Sequence, residues 1–294
     1  MKRILITGAN RGIGLALVEK VLESSEEHQV YLGARSLERG EAAADELCTR
    51  HPHWQNRIQV VQLDVADSAS VKAAAEQVRG TLNSGEALYG IVNNAGMGYP
   101  HSDLQETLEV NTYGVKRVVE AFLPLLEPQV GRLVNITSAA GPNFVEGCSA
   151  DIQSMLVDPN ITWEQLEAFL QKCLSAEGDT AVFNKFGMGD GSSYGISKAA
   201  ANAYTLILAR EHPNFIINAC TPGFIETELT RPIAKRYGKT PAEMGMKTPA
   251  EGTISTMHLL FGEVEQSGHY FGSDGLRSPM HCYRAPGTPA YIDP

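Results

Sequence analysis

The chain has little to offer in sulfur chemistry. Its five cysteines, Cys48, Cys148, Cys173, Cys220 and Cys282, are odd in number, widely spread and include no C-x-x-C pair. That pattern argues against a disulfide frame or a cysteine zinc site, and for free, mostly buried thiols in a reducing compartment. Positive charge is also short: 24 Lys and Arg stand against 34 Asp and Glu, a formal net charge of −10. A field of that sign repels nucleic acid and anionic lipid, so neither is expected as a partner, and any anionic ligand must be held by a local pocket. No apolar run approaches the ~18 residues that span a bilayer. Ile4-Leu5-Ile6 behind Met1-Lys2-Arg3 is too short for the core of a signal peptide. There is no H-E-x-x-H, and His51 and His53 flank a proline in an expected loop, so no metal site is expected. These absences predict a soluble, cytoplasmic protein. What is present, 43% hydrophobic and 20% charged residues over 294 positions, suffices for one large core.

Residues 2–7 (KRILIT) are short, apolar and β-rich, and Gly8 to Gly14 follow as a turn. Ile13, Leu17, Val18, Val21 and Leu22 then fall on one helical stripe. A strand is predicted at 29–34, a polar Ala-rich helix at 36–50, and a strand at 58–63. A helix near 68–79, a strand through Ile91-Val92, helices across 103–127 and a strand at 132–137 continue the rhythm. After 192 come a helix at 193–211, a strand at 215–220, a helix near 249–260 and a short strand around 269–271. Strands alternating with helices predict an α/β fold, a Rossmann-like doubly wound parallel β-sheet with helices on both faces. We expect one domain over 1–294.

The rhythm breaks at 141–192. Residues 141–160 read as a loop, and 184–191 are Gly-rich. Between them Thr162 and Gln165 form a capping box, Ile161 can staple to Leu166, and Trp163, Leu166, Phe169, Leu170, Cys173 and Leu174 line one face. This inserted segment is expected to carry a helix.

In TGANRGIG (7–14), Gly8, Gly12 and Gly14 stand at the first strand-to-helix junction. There glycine lets the backbone approach a pyrophosphate, with Asn10, Arg11 and Ile13 alongside it. The end of the second strand, where an NAD site usually offers an acid to the ribose, reads Gly33-Ala34-Arg35-Ser36. Arg35 and Arg11, with no carboxylate, suit a 2′-phosphate, so NADPH/NADP+ is the expected cofactor; the alternative for Arg35 is a solvated surface side chain. Asp64, followed by Val65, either accepts the adenine amino group or caps a helix. Asn93, Ala95 and Gly96, in NNAG, end the fourth strand at the ligand-binding edge.

Tyr194 and Lys198 are four apart at the start of a helix and share a face. Ser138 follows the fifth strand at the same edge. A carbonyl that accepts hydride becomes an alkoxide and needs a proton; tyrosine is a poor acid near neutrality unless a cation such as Lys198 favours its phenolate. Ser138 would hydrogen-bond the developing oxyanion. TGANRGIG, NNAG, the Ser138/Tyr194/Lys198 set and Pro222-Gly223 together resemble the short-chain dehydrogenase/reductase family. The resemblance implies that Asn111, in LEVNTYG, steadies the lysine and a relay water, and that Thr227 contacts the nicotinamide amide. The 56 residues between Ser138 and Tyr194 exceed the family's usual short loop and resemble its monomeric, NADPH-dependent carbonyl reductase branch. That likeness implies reduction of ketones, aldehydes or quinones by a monomer.

Two other readings arise at this level. Gly191-Ser192-Ser193-Tyr194-Gly195 satisfies G-x-S-x-G, with His212, His258 and His269 downstream, and would make Ser193 a hydrolase nucleophile if a strand preceded it. Residues 184–191 are Gly-rich and not strand-like, which makes the match a coincidence. A reductase fold that only binds NADPH to regulate a partner is the other. Phe144, Met188, Phe224 and Ile225 suit an apolar substrate pocket and ordinary packing equally.

Overall fold

The computed structural model describes residues 1–98 and 103–292. The strands are β1 (Lys2–Ile6), β2 (His28–Ala34), β3 (Ile58–Gln62), β4 (Gly90–Asn93), β5 (Arg132–Ile136), β6 (Ile216–Cys220), β7 (Tyr270–Phe271) and β8 (Arg277–Ser278). They form one sheet in the order β3-β2-β1-β4-β5-β6-β7-β8. Every pair is parallel except β7 with β8, and the register aligns Ile6 with Val92, Asn93 with Asn135, and Ile136 with Cys220. The order reverses between β1 and β4, so the carboxyl ends of these strands open a crevice there.

Helices α1 (Gly12–Ser24), α2 (Leu37–Arg50) and α12 (Ile254–Phe261) belong to one face, where Leu17, Val21, Leu47 and Leu260 pack against Ile4, Leu32 and Val134. On the other lie α3 (Ser68–Thr81), α4 (Leu104–Asn111), α5 (Tyr113–Phe122) and α10 (Ser193–Glu211), packed on Leu5, Ile91 and Leu133. Alternate residues of each inner strand thus feed two cores, which is why these strands read as continuous apolar runs. No helix among the described residues is long and apolar enough to cross a membrane.

The inserted segment is more helical than its sequence suggests. Residues 141–160, expected as loop, form α6 (Ala140–Glu146) and α7 (Ala150–Leu156); α8 (Trp163–Ser175) and α9 (Thr180–Lys185) follow. Pro142 sits in the first turn of α6, where no intrahelical N–H is required of it, so it does not break the helix. Phe144 and Val145 are then buried in the core, which stabilises this short helix by packing. The predicted capping box is present: Gln165 N donates to Thr162 Oγ1 at 3.3 Å and Thr162 N to Gln165 Oε1 at 2.9 Å. The helix it starts lies over α5 and α10, with Trp163 edge-on to Tyr204 at 5.3 Å and the Tyr113 hydroxyl donating to Glu167 at 3.0 Å. Two further elements had no prediction, α11 (Arg231–Arg236) and the antiparallel β8.

Candidate active site

The turn after β1 is stitched to the turn after β4. Thr7 Oγ1 accepts the backbone N–H groups of Asn94 (3.0 Å) and Ala95 (2.9 Å), and Asn94 Nδ2 donates to the carbonyls of Thr7 (2.8 Å) and Gly8 (3.0 Å). Helix α1 begins against this knot: a Cβ added to Gly14 would stand 2.4 Å from the Gly8 carbonyl oxygen and 2.8 Å from Ala9 Cα. Only glycine permits that approach, and it brings the helix N-terminus to the mouth of the crevice.

A cleft of about 720 Å³ runs along the sheet's carboxyl edge. Gly8, Asn10, Arg11, Gly12, Ile13 and Gly14 line it from the glycine turn. Arg35, Asp64 and Val65 line it from β2 and β3, and Ala95, Gly96, Tyr194, Lys198, Pro222 and Thr227 from the β4 to β6 side. Most of the sequence-predicted residues therefore share one cavity. Asp64 is not a helix N-cap: Asp67 holds that position in α3, while Asp64 Oδ1 accepts Ala66 N at 3.0 Å within the turn.

Four predicted residues are absent from the lining. Ser138 lies beside the Tyr194 phenol, two residues past β5. Gly223 abuts Ser273, whose Cβ would be 3.0 Å from an added Cβ. Asn93 is buried in a polar brace, donating to Asn135 Oδ1 at 2.8 Å, while Asn135 donates to Thr205 Oγ1 at 2.9 Å. Its side chain ties β4 to β5, and that of Asn135 ties β5 to α10. Asn111 is also buried: its amide accepts from Met97 N (2.9 Å) and donates to Met97 O (2.7 Å) and Ser197 Oγ (3.0 Å), pinning the stretch after β4 to α10.

Helix α10 holds Tyr194 and Lys198 one turn apart, capped by Ser192, whose hydroxyl accepts Gly195 N at 3.2 Å. Helix α6 crosses it so closely that a Cβ on Gly141 would sit 3.0 Å from Ala199 N, and this contact carries the Ser138 turn toward the tyrosine. Lys198 is 5% exposed and its Nζ donates to the Ile136 carbonyl at 3.1 Å. Burial lowers its ammonium to about 8, partly offset by Cys220. Burial raises the Tyr194 phenol, and the Ser138 hydroxyl opposes that shift. The arrangement puts a neutral phenol, a hydroxyl and a buried amine around one end of the cleft.

Sequence reasoning missed Arg39, Glu226, Glu228 and Arg231, all of which line the cleft. Arg39 had a legible signal, lying one turn beyond Arg35 where Ser36 caps α2. Glu226 and Glu228 lie in an irregular stretch after β6 and Arg231 opens the short helix α11, and no periodicity marks any of the three. Of the candidate substrate-pocket residues, Phe144, Met188 and Ile225 are core, and Phe224 alone is exposed. Ser193 is the first residue of α10 and follows α9 and a Gly-rich turn, so the strand that a nucleophile elbow requires is missing.

A parallel sheet with a glycine turn at its switch point, and a Ser, Tyr, Lys group at its carboxyl edge, defines a dinucleotide-dependent oxidoreductase class. Residues 2–150 match the short chain dehydrogenase family, and the chain belongs to it. It is 31% identical to (+)-neomenthol dehydrogenase of Arabidopsis thaliana over 299 aligned residues, covering 91% of this chain and 94% of that one. It is also 31% identical to carbonyl reductase (NADPH) 1 of Homo sapiens, covering 83% and 88%. Among solved structures, salutaridine reductase from Papaver somniferum superposes with a TM-score of 0.75 at 25% identity, over 92% of this chain and 99% of that chain.

Proposed function

We propose that the chain, a single domain, is an NADPH-dependent reductase of ketone, aldehyde or quinone carbonyls. The observation that carries this reading is the cleft, which joins the Tyr194–Lys198 pair at one end to Arg35 and Arg39 at the other. Among the described residues neither arginine is paired with a carboxylate, so both guanidiniums are free to take a 2′-phosphate. The human relative, an NADPH carbonyl reductase by name, agrees with that choice.

When bound, the dinucleotide supplies the hydride. The chain's own groups do the rest. Ser138 donates to the carbonyl oxygen as negative charge builds there. Tyr194 delivers a proton to the same oxygen. Lys198, when protonated, stabilises the phenolate left behind, and Asn111 holds the Met97 stretch against α10 so that the pocket keeps its shape. The test is NADPH oxidation by the purified protein against a panel of quinones, aromatic aldehydes and cyclic ketones. Turnover of at least one class is expected. Tight NADPH binding without turnover of any member would reject the enzyme and favour the regulatory reading.

A cytoplasmic monomer completes the proposal. Family oligomers pair through the helices flanking the catalytic serine strand, the surface that α8 covers here.

A further inference from the structure

The cleft carries two ion pairs that the proposed reaction does not use. Four arginines line it. Arg35 and Arg39 have no carboxylate partner among the described residues, whereas Arg11 is ion-paired with Glu228, and Arg231 with Glu226 at 3.0 Å. Arg11 belongs to the turn after β1 and Glu228 to the stretch after β6, so their pair bridges two walls of the cleft. The same walls meet at Gly12, where an added Cβ would lie 3.4 Å from Thr227 Cγ2.

The stretch that presents Glu228 is braced. Glu226 N donates to the Lys247 carbonyl and Lys247 N to the Phe224 carbonyl, both at 2.8 Å, closing the base of the excursion. Thr227 N donates to Thr230 Oγ1 at 2.9 Å, and Thr230 Oγ1 also bonds the Ile225 carbonyl at 2.5 Å. These bonds fix the backbone around Glu228, whose carboxylate the ion pair places opposite Arg11. A carboxylate and a phosphate both match the planar guanidinium fork, and two anions on one fork repel each other.

We propose that Glu228 is a latch on Arg11 that a dinucleotide phosphate must displace, making Glu228 a determinant of how tightly the cleft takes its anionic ligand. The proposal rests on the dinucleotide reading above. Both side chains are 59% exposed, so the pair is solvated and salt-screened. Removing it is worth about two- to fivefold in affinity, the size expected of an exposed ion pair.

Titration calorimetry with NADP+ and NAD+ tests this on wild type, Glu228→Gln, Arg11→Gln and the double variant, at low and high salt. Glu228→Gln is expected to bind NADP+ about two- to fivefold more tightly at low salt, with the gain shrinking at high salt and vanishing in the Arg11→Gln background. A gain confined to NADP+ identifies the displacing group as the 2′-phosphate, and an equal gain with NAD+ identifies it as the pyrophosphate. Either supports the latch. Unchanged or weaker NADP+ binding by Glu228→Gln overturns it, as does a gain that persists without Arg11. Failure of the wild type to bind either dinucleotide is a different result, which removes the cofactor reading and the latch with it.

Discussion

Lys198 Nζ stands 5.6 Å from the ring centroid of Tyr194, one turn along α10, and donates to the Ile136 carbonyl. The two groups are shifted in opposite directions by one cause. Burial disfavours charge, so it raises the phenol and lowers the ammonium, leaving both closer to neutral than they would be in water. Below pH 8 the site therefore holds a neutral phenol beside an ammonium, and an alkoxide forming there meets a proton donor at once.

Replacement of Tyr194 by Phe removes the proposed donor and little else. Turnover should fall by roughly 10²–10⁴ while NADP(H) affinity stays within about twofold, because general acid roles are worth that much and the phenol is one contact among many. Steady-state rates and fluorescence titration of NADPH check this. A variant that retains wild-type kcat rules out Tyr194 as the acid.

The lysine shift makes a stability prediction. The folded value, about 8, lies below the unfolded value of 10.5. Between those limits the unfolded chain binds more protons than the native one, so this group's contribution to stability rises with pH. Below pH 8 the native state carries the full cost of burying the ammonium. Lys198→Met should therefore be stabilised relative to wild type near pH 7, and this advantage should shrink by about 3 kcal/mol by pH 10.5. Urea unfolding of the ligand-free proteins at both pH values measures it; a difference that is flat with pH contradicts the assigned shift.

Cofactor choice should follow the β2 terminus. Replacing Ala34 by Asp with Arg35 and Arg39 by Ala supplies a ribose acceptor and removes both unpaired guanidiniums. Each lost charge-assisted pair costs about 1.5–3 kcal/mol, or ~10–100-fold in affinity, so preference should turn from NADP+ to NAD+. The ratio of the two dissociation constants reads this directly. A wild type that already prefers NAD+ contradicts the reading of Arg35 and Arg39.

The frame of this fold was legible wherever local chemistry and burial agree. Ile4, Leu32 and Val134 lie in strands buried on both faces, and the apolar runs announced them. Tyr194 and Lys198 were legible because helical spacing alone puts them on one face. Thr162 and Gln165 declared a helix start through a bond that needs no tertiary partner. What stayed hidden depends on long-range contacts. Helices α6 and α7 sit in a stretch rich in Gly, Pro and Asn, and Phe144 and Leu156 become buried only against the rest of the fold. The brace between Asn93 and Asn135 was not legible, because the two are 42 residues apart and meet only once β4 and β5 pair in register. Glu228 meets Arg11 across the whole chain, and no sequence period reports such a pair.

The cap on α8 offers a simple check on the inserted segment. Thr162→Ala removes the side-chain acceptor for Gln165 N and should cost about 1 kcal/mol. The loss should appear in global unfolding, because Leu166, Phe169, Leu170 and Cys173 on this helix belong to the main core. If thermal unfolding is unchanged while local proteolysis near residue 162 increases, α8 opens independently and is not integrated with that core.

The insertion also predicts the state of assembly. Trp163 packs edge-on against Tyr204 of α10 and Tyr113 of α5, at 5.3 and 6.1 Å, and Lys116 of α5 lies over the same indole. Arg210, in the last turn of α10, reaches the carbonyls of Pro159 and Ile161 at 3.1 and 2.6 Å, anchoring the approach to α8. The segment thus occupies the outer side of α5 and α10. Burying side chains such as Leu166, Phe169 and Leu170 there yields roughly 1.5–3 kcal/mol each, so the cover is not readily displaced by a second subunit offering the same surface. A dimer that pairs through these two helices would have to remove it. We therefore expect a particle near 31.8 kDa at micromolar concentration, measured by light scattering behind a sizing column. A stable dimer or tetramer under those conditions would show that α8 does not block pairing.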